Sequence, residues 1–66
     1  MNARDKFEIG DKVCLTKDGE EFFETKVHGT VAGFGRDPGH VRIVRDGQKS
    51  AVCYHGDFWC VYSRPI

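Results

Sequence analysis

The chain is 66 residues long and sets ten lysines and arginines against ten aspartates and glutamates, for a formal net charge of zero at pH 7. That length holds one core and excludes a second, so residues 1–66 are read as a single domain with an ordered core from about residue 7 to 62. Balanced charge argues against a protein whose whole surface neutralises phosphate, while 39% hydrophobic and 30% charged residues exclude a disordered tail. A chain this short buries only about 60% of its unfolded surface, which leaves room for a partner or a second copy to supply further burial.

The start, Met1-Asn2-Ala3-Arg4-Asp5-Lys6, is polar and carries no charged-then-apolar leader, and no apolar run approaches membrane-spanning length. A cytoplasmic protein without a membrane partner is expected. After a Gly10-Asp11 turn, residues 12–17 alternate with Val13 and Leu15 on one face, as a first strand does. Asp18-Gly19 is predicted to close that strand in a turn. Residues 20–27 hold Phe22-Phe23 among charged neighbours, and their periodicity does not choose between a helical turn and a long hairpin loop.

Residues 28–34 read as a second strand whose glycines, Gly29 and Gly33, predict a bend or a close backbone approach. Gly35-Arg36-Asp37-Pro38-Gly39 is a turn cluster, and Pro38 cannot donate to a ladder. Residues 40–45 form a third strand with Val41 and Ile43 facing away from Arg42. Asp46-Gly47 signals a hairpin, and residues 48–54 return from it. Residues 55–58 suit a single 3-10 turn and residues 59–62 a last short strand, with Pro65 ending the ordered part.

Short strands punctuated in this way predict an all-β fold. The order of strand, long loop, strand, turn, strand, tight hairpin, strand, 3-10 turn and short strand resembles the SH3-like barrel from about Gly10 to Tyr62. The resemblance implies a five-stranded SH3-like barrel with a long first loop and a short 3-10 turn before the last strand. Within it, Gly10-Asp11-Lys12-Val13 and Gly29-Thr30-Val31-Ala32-Gly33-Phe34 look like a KOW-type element, which implies contact with RNA or protein. The same two runs are similar to the opening strands of type II dihydrofolate reductases, tiny barrels that act as tetramers around a pore. At the place of that family's Val-Gln-Ile-Tyr strand this chain has Ala51-Val52-Cys53-Tyr54, which keeps the tyrosine and lacks the glutamine amide. Proline-peptide SH3 domains carry an Ala-Leu-Tyr-Asp-Tyr-like run in the long loop, where this chain has Glu21-Phe22-Phe23-Glu24, and its tryptophan, Trp59, stands near the end.

Three sets of residues carry candidate chemistry. Cys14, Cys53 and Cys60, with His55, contain the atom types of a zinc site, but no Cys-x-x-Cys knuckle sets their bite. Separate thiols, no metal and no cofactor are expected, and the same absence of a built nucleophile site predicts no catalytic residue. The aromatic set, Tyr54, Trp59 and Tyr62 with Phe22 and Phe23, exceeds what a small core hides and so offers anchors for a protein partner. The basic set, Arg36, His40, Arg42, Arg45 and Lys49, clusters in sequence around the middle turn and hairpin, where guanidinium groups beside Phe34 or Tyr54 would hold phosphate and stack bases.

The expected function is a small non-catalytic binding module with a protein partner. A nucleic-acid-contacting KOW-like module is the alternative, a reductase-like tetrameric enzyme stands behind it, and a homo-oligomer is left open.

Overall fold

The computed structural model describes residues 2–64. Five strands dominate it: β1 (Lys12–Leu15), β2 (His28–Phe34), β3 (His40–Arg45), β4 (Val52–His55) and β5 (Trp59–Ser63). They form one antiparallel sheet in the order β4-β3-β2-β1-β5, with a 3-10 turn, Gly56–Phe58, before the last strand. Two short helices complete the chain, α1 (Ala3–Lys6) and α2 (Lys17–Phe23).

Alternation builds the core. Val13 and Leu15 of β1, Val31 of β2, Val41 and Ile43 of β3 and Trp59 of β5 turn one face of the sheet inward, where Ala3 and Phe7 join them. The sheet curls around this cluster. Its registers shift between Lys12 and Val13 and between Val31 and Gly33, and such irregularities bend a strand and raise its twist. Gly29 sits where β2 and β3 come together, and a Cβ there would stand 2.6 Å from Ile43 Cγ2 and 2.8 Å from the Val44 carbonyl oxygen. The predicted close approach at this glycine is therefore real. No strand pairing joins β4 to β5 among the described residues, so the sheet has two edges and is not closed into a barrel.

Two expectations are corrected. Asp18-Gly19 does not form a turn; both lie inside α2, because the Thr16 hydroxyl accepts from Gly19 N at 3.1 Å and caps the helix. The return strand begins at Val52 rather than Gln48, since the chain turns at Asp46-Gly47 and then runs irregularly through Ala51. Packing contacts also reach residues on either side of 7–62. Ala3 and Phe7 are both buried, and Lys6 Nζ donates to the carbonyls of Gly56 at 3.1 Å and Trp59 at 2.7 Å. At the other end Arg64 donates twice to Asp11, each bond 3.0 Å long. Pro65 lies outside the described residues. No helix among them is long and apolar enough to cross a membrane.

Candidate binding surface

Helix α2 exposes an adjacent pair of aromatic rings, Phe22 and Phe23. Asp18 and Glu20 in its first turn complement the helix dipole, and Glu24 ends it in the left-handed region at φ 58°. Gly19 is the helix's buried residue, and it lies against the Phe58 carbonyl and the Leu15 side chain so tightly that a Cβ would collide with both. This contact presses α2 onto the 3-10 turn and lays its aromatic pair over Phe58. The Phe22 and Phe58 rings stack with centroids 4.9 Å apart and planes inclined by 17°. Phe23 meets Phe58 edge-on at 5.7 Å and Tyr54 edge-on at 5.9 Å, and Tyr54 continues to Trp59 at 5.1 Å. Phe22 stays 67% exposed at the outer end of this series.

Beside the aromatic series lies a cleft lined by Leu15, Phe23, Thr25, Val27, Arg45, Tyr54 and Trp59. It holds only about 10 Å³ of free space, roughly one water molecule, which is too little for a metabolite-sized substrate. Arg45 Nε and Trp59 Nε1, on two of these lining residues, are buried without a hydrogen-bond partner. Both atoms only donate, so only an acceptor could satisfy either of them.

The expected protein-binding residues divide among three places. Phe22, Phe23 and Tyr54 come together as described. Trp59 is not an exposed anchor: it is 1% exposed, because as the first residue of β5 it takes the inward position opposite Leu15 and fills the centre of the core. Tyr62, three residues on, is exposed on the outer face, where its ring meets His28 edge-on at 5.3 Å, apart from the Phe22 series. Phe58 is half-buried and shared between the core and the surface.

The basic set is not one patch. Arg42 faces out from β3 opposite Cys53, whereas Arg45, on the Val41–Ile43 side of the same strand, turns to the cleft. His40 pairs with Asp37 at 3.4 Å and meets the His55 ring at 4.8 Å. Arg36 and Lys49 are exposed in the two loops flanking β3. The ring of Phe34 is already covered by Arg4, whose Cζ stands 4.7 Å from its centroid.

The thiols divide as well. Cys14 and Cys60 are directly opposed across β1 and β5 with their sulfurs 3.4 Å apart, while Cys53 is exposed on β4. Burial and the neighbouring Cys60 push the Cys14 thiol up to about 11. Among the described residues no three or more His, Cys, Asp or Glu side chains converge as metal ligands.

The helix that carries Phe22 and Phe23 had a signal in the sequence. Thr16 followed by Asp18 and Glu20 is a cap with an acidic first turn, and Gly19 masked it by resembling turn punctuation. Compared with protein-family models, with curated proteins and with solved structures, the chain matches none.

Proposed function

We propose that this chain is a non-catalytic binding module of SH3-like architecture that docks a segment of another protein against Phe22, Phe23, Phe58 and Tyr54. The observation carrying this reading is Phe22, a large apolar ring 67% exposed yet held in a fixed stack on Phe58. Exposed aromatic surface on rigid support is what interface anchors require, because little side-chain entropy is left to lose on binding.

The nucleic-acid alternative has weaker support, since Arg42 and Arg45 face opposite ways and Phe34 is covered. Capture from cell lysate separates the two readings. The unaltered chain, Phe22→Ala and Arg42→Glu are compared with and without nuclease and over a range of salt. An aromatic interface loses its bound protein with Phe22→Ala and tolerates nuclease and salt. Binding that instead collapses with nuclease, steeply with salt and with Arg42→Glu would replace the protein reading with the nucleic-acid one. Capture untouched by Phe22→Ala and Phe23→Ala together would sink the proposed surface.

A further inference from the structure

We propose that Cys14 and Cys60 form a dithiol site that is reversibly oxidised to an intramolecular disulfide by exchange with a small disulfide such as glutathione disulfide. The inference is independent of the binding surface and rests on how the two strands present the thiols. Cys14 and Cys60 are register partners across an antiparallel pair. Opposed residues in such pairs have Cα atoms about 4.5–5.5 Å apart, inside the roughly 4.4–6.8 Å that a disulfide spans. The sulfurs already stand 3.4 Å apart, with the Cys60 thiol also 3.5 Å from the Cys14 carbonyl oxygen. Closing to a bond of about 2.05 Å needs rotation of the two side chains and no change of register.

Access suits exchange. Both residues are half-buried on the outer face of the sheet, the face away from Val13, Leu15 and Trp59, so a small oxidant reaches them without unfolding the core. Cys53 lies elsewhere, its sulfur against Gly35, and provides an internal comparison.

The chemistry balances in two steps. The Cys60 thiolate attacks one sulfur of glutathione disulfide, forming a mixed disulfide and releasing one glutathione thiolate. Cys14, held high by burial and by Cys60, gives up its proton as it attacks the Cys60 sulfur, displacing the second glutathione. Two cysteine thiols lose two electrons and two protons, and one glutathione disulfide becomes two glutathione thiols. Added dithiol reductant reverses the sequence.

The new bond would close a ring between residues 46 positions apart, removing freedom mainly from the unfolded chain. It would also fasten β1 to β5 at the pair next to Leu15–Trp59, which borders the cleft.

The test incubates the folded chain and its Cys53→Ser variant with graded mixtures of reduced and oxidised glutathione, followed by mass spectrometry and peptide mapping. Cys14 is expected to be linked to Cys60 in both proteins, making the Cys53→Ser product two hydrogen atoms lighter, with any glutathione adduct of the unaltered chain confined to Cys53. The thermal midpoint of the linked protein should rise on the order of 10 °C and fall back with dithiothreitol. Stable glutathione adducts on Cys14 or Cys60 without the internal bond would overturn the proposal. So would a bond joining Cys53 to Cys14 or Cys60, or a Cys14–Cys60 bond that forms no faster in the folded chain than in denaturant.

Discussion

Asp11 and Arg64 join the beginning of β1 to the residue just past β5 through a two-pronged contact, Nε to Oδ1 and Nη2 to Oδ2, both 3.0 Å. Asp11 is fully buried, and its Oδ2 also accepts from the Glu8 backbone N–H at 2.8 Å. Three donors on one carboxylate hold the charged form in place despite the burial, and Arg64 contributes most.

The Arg64 guanidinium beside Asp11 holds its carboxyl below the ordinary value of 3.8, outweighing the burial that pushes the other way. A depressed folded value means that the stabilisation is complete above about 3.8 and disappears as pH falls through the lower folded value. Thermal midpoints should therefore drop below pH 4 in the unaltered chain and drop less in Asp11→Asn, which has no charge to lose. Asp11→Ala, which strands the Glu8 N–H, should cost about 1–3 kcal/mol at neutral pH in chemical denaturation.

Gly19→Ala should loosen α2 from the 3-10 turn, because the added methyl meets the Phe58 carbonyl, which is backbone and cannot step aside. The expected loss is about 1–3 kcal/mol, as for overpacking at other tight contacts. Amide exchange read residue by residue should show faster opening across residues 17–23 than across β2 and β3. Equal protection in both would mean that α2 is held by something other than this contact.

Glu24→Gly should stabilise the chain. A non-glycine residue in the left-handed region is strained by about 1 kcal/mol, partly offset by glycine's extra freedom when unfolded, for a net gain of about 0.5 kcal/mol. Urea midpoints of the two proteins measure this directly, and a lower midpoint for the variant would contradict it.

Phe22→Ala and Trp59→Ala should have opposite profiles. Phe22 is mostly exposed, so its truncation should cost less than about 1 kcal/mol of stability while removing partner binding. Trp59 fills the core, so its truncation should cost about 3–5 kcal/mol, a large fraction of a small domain's total, and leave a chain whose lost binding only reports unfolding. Circular dichroism beside the capture assay distinguishes the two.

Much of the fold was legible because alternation is a local signal. Val13 with Leu15 and Val41 with Ile43 declared the buried face, and the ends of β2 and β3 fell where glycines and Pro38 predict. What stayed hidden depends on tertiary placement. The burial of Trp59 follows from its register opposite Leu15, which no local pattern gives. Arg45 lies four positions from Val41 and three from Arg42 along the same strand, so alternation could have put it with the valine, but its charge argued for solvent. Helix α1 was missed because four polar-rich residues carry almost no periodicity, and only the contacts of Ala3 and Phe7 explain why it forms.

Lys6 gives the aromatic face a support that its sequence position would not advertise. Its ammonium group reaches under the 3-10 turn to two carbonyls, so the platform beneath Phe58 is braced from behind by the chain's opening helix. A disturbance in those first residues would therefore reach the 3-10 turn through these two bonds. The lie of Phe58, and of the Phe22 ring stacked on it, thus depends on a single cation supplied from the opposite end of the chain, acting as a strut.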